Sequence, residues 1–332
     1  MNNLTNKIIL LTGGTGSFGQ AFTKKILKKK PKELIIFSRD ESKQWDMRKQ
    51  YENQNNLKFF IGDIRDKSRL QSVLRKDIDC VIHAAATKIV PTAETNPEEC
   101  VKTNIIGTTN LIQACKENGI KKIIGLSTDK ACNPVNLYGA TKLAADKLLV
   151  AANDFFDKNS SKFSVVRYGN VLGSRGSVVP FFKKIYEEKR YIPITDKRMT
   201  RFIISLNDAV EFVLFALRDM QGGEIFIKKI PSMNIIEIAK SINSSAKLKY
   251  IGIRAGEKLH EQMISEDDSY STFEYDDYFK IISPIIPKNI QKKNIKKAFK
   301  VKENFSYRSN TNKDWFSHEN LRKWLKINPN YF

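Results

Sequence analysis

Apolar residues in the first half of the chain fall into short runs separated by helix-length amphipathic stretches. Residues 8–11, 34–37, 57–61, 80–83, 123–126 and 163–167 read as strands. Between them, residues 18–27, 68–74, 97–118 and 138–152 carry the spacing of helices. Short β-branched runs alternating with helices predict βαβ units and a parallel sheet covered on both faces. The expected fold class is α/β, a doubly wound sheet of Rossmann type. Beyond residue 170 the alternation loosens into turn-rich pieces such as Gly173-Ser174-Arg175-Gly176, Gly222-Gly223 and Arg254-Ala255-Gly256. From Ser283 onward the chain is polar, basic and weakly patterned, with helix-like segments at Trp315 and Trp324.

Composition narrows the class. The 332 residues are 41% hydrophobic and 28% charged, ordinary for a globular protein that buries a full core. No stretch approaches the roughly 18 apolar residues that a membrane span needs. The polar start from Met1 to Lys7 shows no signal-peptide pattern, so a cytoplasmic protein with no membrane partner is expected. Cys80, Cys100, Cys115 and Cys132 form no CxxC pair and no metal-like cluster with the three histidines. Reduced thiols and no metal site are therefore expected, with Cys132 a packing residue in preference to a reactive one. The net charge of +21 admits three readings: a nucleic-acid surface, a solvated lysine-rich surface, or cations that serve an anionic cofactor and substrate. The lysines are scattered, as at Lys28-Lys29-Lys30 and Lys292-Lys293, with no finger spacing and no aromatic RNA-binding strand. That pattern disfavours nucleic acid.

The first strand runs into Thr12-Gly13-Gly14-Thr15-Gly16-Ser17-Phe18-Gly19 and then a helix. Gly13, Gly16 and Gly19 at this spacing allow a tight turn, close approach to a pyrophosphate, and close helix–sheet packing. At a first strand–helix junction the triplet is a strong sign of a dinucleotide site. The second strand ends in Ser38-Arg39, with Lys43 four residues after Arg39. Arg39 and Lys43 suit a 2′-phosphate and so NADP. The competing reading takes Asp40 as the ribose acid of an NAD site, one place beyond its usual position. Asp63 and Ile64 are expected to flank the adenine, and Ala84-Ala85-Ala86 to pass under the cofactor.

Tyr138 and Lys142, four apart, share one helix face directly after the fifth strand. The ammonium of Lys142, with the cofactor's positive charge, is expected to lower the Tyr138 phenol toward use as a base. Asp129-Lys130 precede this pair in Ser127-Thr128-Asp129-Lys130.

The glycine loop, Asn104 with Gly107-Thr108, and the Tyr-x-x-x-Lys pair resemble the extended short-chain dehydrogenases/reductases acting on nucleotide sugars. The run from Ser127 to Lys142, the run Val166-Arg167-Tyr168-Gly169-Asn170-Val171-Leu172-Gly173, and Met199-Thr200-Arg201-Phe202 resemble one branch closely. That branch is the inverting UDP-N-acetylglucosamine 4,6-dehydratases of pseudaminic acid synthesis, the route to glycosylated flagellin. The resemblance runs from about residue 7 to residue 280. It implies oxidation of the sugar at carbon 4, loss of water across carbons 5 and 6, and hydride return to carbon 6, with recycled NADP. Tyr138 would take the hydroxyl proton with Thr128 beside it, Lys130 would remove the carbon 5 proton, and Asp129 would protonate the departing hydroxyl. A depressed Lys130 pKa is expected for such a base. Inversion at carbon 5 would give the L-arabino 4-keto sugar.

By the same resemblance Thr103 and Val171 join the cofactor set, which is Gly13, Thr15, Gly16, Ser17, Phe18, Gly19, Ser38, Arg39, Lys43, Asp63, Ile64, Ala84, Lys88, Tyr138 and Lys142. Lys88, Thr128, Asn170, Val179, Pro180, Thr195, Met199, Arg201, Arg254 and Glu257 would surround the UDP-sugar, Arg201 and Arg254 at its pyrophosphate. Ala255 stands where relatives carry proline. A homo-oligomer, with a hexamer among the candidates, is also implied. The expected division is a cofactor domain with the catalytic residues over 1–170, a substrate lobe over 171–283 interleaved with the last sheet elements, and a basic tail over 284–332. Three rivals remain: a 4-epimerase or bifunctional dehydratase–epimerase on a UDP-sugar, a non-catalytic NADP-sensing regulator, and the nucleic-acid binder.

Overall fold

The computed structural model describes residues 4–157 and 159–328, so the first three residues of the polar start and the last four of the expected tail lie outside it. The first half runs β1 (Ile8–Thr12), α1 (Ser17–Leu27), β2 (Glu33–Ser38), α2 (Glu41–Gln50), β3 (Leu57–Ile61), α3 (Lys67–Val73) and β4 (Cys80–His83). It continues through α4 (Val90–Thr95), α5 (Pro97–Val101), α6 (Gly107–Glu117), β5 (Lys122–Leu126), α7 (Leu137–Ala151) and β6 (Lys162–Arg167). All six expected strands are present. The single helix expected over 97–118 is instead α5 and α6 joined by one π-helical turn, Lys102–Ile106. Helix α2 was not legible because it is polar on every side and buries only Gln44 and Met47.

The second half supplies β7 (Asn170–Val171), α8 (Val178–Lys189), β8 (Tyr191–Ile194), β9 (Thr200–Ile204), α9 (Leu206–Asp219) and β10 (Glu224–Lys228). After these come β11 (Ser232–Asn234), α10 (Ile235–Ile242), β12 (Lys247–Tyr250), β13 (Gln262–Ile264), β14 (Thr272–Glu274) and β15 (Tyr278–Ile282). Helix α11 (Lys288–Asn294), β16 (Phe299–Lys300), β17 (Tyr307–Arg308) and α12 (His318–Ile327) close the described chain.

The main sheet has ten strands in the order β16-β14-β15-β10-β6-β5-β4-β1-β2-β3. From β3 to β10 neighbouring strands are parallel, and β15, β14 and β16 extend the sheet antiparallel. Every residue of β1 is buried, as a parallel strand covered on both faces requires. The sequence order reverses between β1 and β4, which opens a crevice at the carboxyl ends of the strands. A second core lies beside the sheet, where Val179 and Phe182 of α8, Ile192 and Ile194 of β8, Ile238 of α10 and Leu321 of α12 pack together. Trp324 is in α12, whereas Trp315 is not helical: it bridges to Ser232 and its indole donates to the Asn312 carbonyl at 2.9 Å.

Leu321 is fully buried in that second core. Leu321→Ala should lower the unfolding free energy by about 2–5 kcal/mol, read from urea midpoints at unchanged m-value. A change near zero would mean that α12 is not part of the core.

Candidate active site

The crevice is a cavity of about 820 Å³ that runs from the glycine turn to the loops of the second core. The turn after β1 is fixed by the Gly13 N–H donating to Phe37 O at 2.8 Å and the Gly16 N–H to Gly13 O at 3.0 Å. Gly13 has φ +68°, and a β-carbon there would lie 2.7 Å from the Ala85 nitrogen. Only glycine fits such a position without displacing the loop after β4. Helix α1 then begins at Ser17 with its amino end toward the cavity and no side-chain cap, an arrangement suited to a pyrophosphate. Thr15, Gly16, Ser17, Phe18 and Gly19 also line the cavity, as do Ser38, Arg39, Lys43, Ile64, Ala84, Lys88 and Thr103. The cradle therefore fits a dinucleotide.

Asp40 caps α2 by accepting from the Lys43 N–H at 2.9 Å, and its carboxylate is paired with the Lys43 ammonium. Arg39 is 57% exposed, with only a 3.6 Å ion pair to Asp63. Asp63 itself is outside the lining, held by the Arg65 guanidinium at 2.7 Å. Burial favours its neutral form, but the bonds from Arg65 outweigh that and hold the carboxyl below its ordinary value.

Asn104, on the π turn, ties the loop after β4 to α7. Its side chain accepts from the Thr87 N–H at 2.9 Å and donates to Thr87 O at 3.0 Å and Thr141 Oγ1 at 3.0 Å. Helix α7 starts at an Asn136 cap that accepts from the Gly139 N–H at 2.7 Å. A β-carbon on Gly139 would sit 2.3 Å from the Lys130 carbonyl, so glycine lets the Asp129–Ala131 turn press against α7 beside Tyr138. Farther along α7, Asp146 accepts from Ser127 Oγ at 2.7 Å and from Arg167 at 3.2 Å, joining the ends of β5 and β6 to the helix.

Tyr138 is buried. Burial pushes its phenol up to about 12, against the pull of the Lys130 charge and a hydrogen bond with Thr128. Lys130 is thus a cation that acts on the phenol, with the Asp129 and Asp146 charges pushing the other way. Lys142 Nζ donates to Leu126 O at 2.7 Å, and burial lowers its pKa. Lys130 Nζ lies 3.1 Å from Asp129 Oδ1 and 3.0 Å from Glu261 Oε1. Burial works against its charge, yet the two carboxylates outweigh it and raise its pKa, opposite to the depressed value expected. Asp129 is fully buried and accepts from Thr128 Oγ1 at 3.0 Å, while its Oδ2 has no hydrogen-bond partner. Burial, then the nearby Glu261 charge, raises its pKa. Cys132 is buried and its thiol is pushed up to about 11 by burial, a poor nucleophile.

The substrate-side residues divide. Lys88, Thr128, Asn170, Thr195, Met199, Arg201, Arg254 and Glu257 line the cavity, as does Val171 of the cofactor set. Val179 is instead packed in the second core, and Pro180 beside it is not in the lining. Arg201 is largely committed inward, donating to Thr200 O at 2.8 Å and Leu259 O at 3.1 Å and lying 3.7 Å from Glu261. Arg254 is paired with Glu257 at the rim. Lys88 Nζ donates to Arg175 O at 2.8 Å, closing across the crevice. Sequence reasoning missed Glu261. It shares its loop with Glu257, stands just before a three-residue strand, and has no apolar periodicity around it to mark it as buried.

A glycine turn at the first strand end and a Tyr-x-x-x-Lys helix after the fifth define the extended short-chain dehydrogenase/reductase class. Within it the chain matches the polysaccharide biosynthesis protein family over residues 9–283 and belongs to that family. It is 57% identical to an inverting UDP-N-acetylglucosamine 4,6-dehydratase of Campylobacter jejuni, over 95% of this chain and 96% of the relative. A UDP-glucose 4-epimerase of Rickettsia bellii is 42% identical, over 83% of each chain. The crystal structure of Pen from Bacillus thuringiensis superposes with a TM-score of 0.88 at 36% identity, over 98% of this chain and 99% of the other.

Gly13→Ala should weaken dinucleotide binding by more than about tenfold, because the substituted residue is strained at positive φ and meets backbone. Fluorescence titration with NADPH checks this, and unchanged affinity would mean that the turn is not the phosphate cradle.

Proposed function

We propose that this chain is a UDP-N-acetylglucosamine 4,6-dehydratase that inverts carbon 5, a carbon–oxygen lyase using NADP. The observation that carries the reading is the convergence of Tyr138, Asp129 and Lys130 on one cavity beside the dinucleotide cradle. High identity to the Campylobacter dehydratase over nearly the whole chain supports it. A bound nicotinamide supplies a hydride acceptor for carbon 4 and a donor for carbon 6.

The chain's own residues do the rest. Gly13, Thr15, Gly16, Ser17, Phe18 and Gly19 hold the pyrophosphate through backbone N–H groups and the end of α1. The exposed Arg39 takes the 2′-phosphate, a role left open because Asp40 is already engaged as a helix cap. Tyr138, bonded to Thr128, receives the carbon 4 hydroxyl proton as a phenolate, the form that the positive charge of a bound nicotinamide would favour against the burial that raises the phenol. The ketone then acidifies carbon 5, Lys130 removes its proton, and Asp129 protonates the carbon 6 hydroxyl as it leaves. Eight cationic side chains line the cavity against four acids, a field that suits a sugar diphosphate. The lobe of residues 171–283, whose core α12 completes through Leu321, holds the sugar nucleotide, and 1–170 the cofactor. The setting we infer is a cytoplasmic homo-oligomer at the start of pseudaminic acid synthesis. Among the described residues no helix is long and apolar enough to cross a membrane.

A 4-epimerase is the second reading, and the Rickettsia relative favours it. An epimerase needs no base at carbon 5, so Asp129 and Lys130 separate the two. Purified protein incubated with UDP-N-acetylglucosamine in deuterated water should give a 4-keto-6-deoxy sugar carrying deuterium at carbon 5, in the L-arabino configuration by proton NMR. After cofactor stripping, NADP should restore the reaction where equal NAD does not. A 4-epimer without deuterium, or intact sugar, would overturn the dehydratase reading.

A further inference from the structure

Lys130 has two carboxylates within hydrogen-bond distance and needs only one as its counter-ion. Their surroundings differ. Asp129 is fully buried, faces Lys130 and accepts one hydrogen bond from Thr128. Glu261 is 2% exposed and faces the charges of Lys130, Arg201 and Lys258 together. Its backbone is pinned from the C-terminal segment: the Glu261 N–H donates to Ser309 Oγ at 2.9 Å and the Ser309 N–H to Glu261 O at 2.8 Å. Both acids line the cavity and each has one buried oxygen without a donor, Asp129 Oδ2 and Glu261 Oε2, so what separates them is the second cation, Arg201, 3.7 Å from Glu261.

We propose that Glu261 is a positioning residue for the dehydration: it takes the ion pair with Lys130, so that Asp129 stands protonated as the acid for the leaving hydroxyl. Two neighbouring carboxyls driven apart in this way divide into an acid and a counter-ion. The directions agree. Burial raises both, but the cations around Glu261 bring it below its ordinary value while Asp129 stays above.

Resting on the dehydratase reading, the proton movements balance. To act as a base Lys130 must shed a proton: Nζ passes it to Glu261 Oε1 along their 3.0 Å contact, an uphill transfer against the resting charges of the pair, and then accepts the carbon 5 proton. The electrons of the broken C5–H bond form the C5=C6 double bond. Asp129 gives its proton to the carbon 6 oxygen, the C6–O bond breaks, and water leaves. The three groups begin and end with zero net charge.

The test has two readouts. In wild-type protein near neutral pH, infrared spectra compared with Asp129→Asn should show a protonated-carboxyl band belonging to Asp129. Glu261→Gln removes the competing anion, so Asp129 should ionise and the band vanish, while Glu261→Asp should keep it. No such band in the wild type, or its persistence in Glu261→Gln, overturns the proposal whatever the activity. The wild-type and Glu261→Asp spectra decide the matter if Glu261→Gln does not fold. With UDP-N-acetylglucosamine, Glu261→Gln should lose about 100-fold in kcat with KM changed by less than about threefold, and Glu261→Asp should recover part of it. An unchanged kcat, or a loss confined to KM, also overturns it. A wild type that shows the band but does not dehydrate the sugar would refute the dehydratase reading and leave the charge assignment standing.

Discussion

A half-buried ammonium packed between two acids ties distant parts of the chain together, and the site is organised around that contact. The side chain of Lys130 is still 23% exposed, but the protein around it disfavours an unpaired charge, and two carboxylates sit against it. One of them comes from the preceding residue, Asp129. The other comes from Glu261, carried by a loop that the C-terminal segment pins through Ser309. Segments more than 100 residues apart in sequence are thereby joined at one nitrogen. The Asp129–Ala131 turn is held between α7 and the second half of the molecule, which folds back onto it.

The parallel sheet supplies the other fixed frame. Its strand ends put the glycine turn, the loop after β4 and the start of α7 along one edge. Local bonds then set each in register: Asn104 to Thr87 and Thr141, Asp146 to Ser127 and Arg167, Lys142 to the end of β5. In this frame Lys142 braces the backbone, and the Tyr138 phenol lies within reach of the charges of Lys130, Asp129 and Asp146. The acid–base groups form one connected chain from Tyr138 through Thr128, Asp129 and Lys130 to Glu261.

Much of this was legible in the sequence wherever local pattern and structure agree. Fully buried parallel strands announce themselves as continuous apolar runs, and the glycine turn and the Tyr138–Lys142 pair have spacings dictated by geometry. Helix α2 escaped notice because nothing in Glu41–Gln50 alternates between apolar and polar faces. Strands of two or three residues, such as β16 and β17, carry too few side chains to show a period. Glu261 was invisible for a deeper reason: its role comes from three cations brought to it by tertiary structure. Lys130 was recognised, but the direction of its pKa depended on that unseen partner.

In the proposed reaction Asp129 and Lys130 act on carbons 6 and 5 of a UDP-linked sugar, with Tyr138 at carbon 4. A crystal structure of Tyr138→Phe with NADP and UDP-N-acetylglucosamine tests it most directly. The carbon 6 hydroxyl should be hydrogen-bonded to Asp129, with the C5–H bond facing Lys130 Nζ and the carbon 4 hydroxyl beside position 138. A sugar bound with carbons 5 and 6 turned away from Asp129 and Lys130 would contradict it.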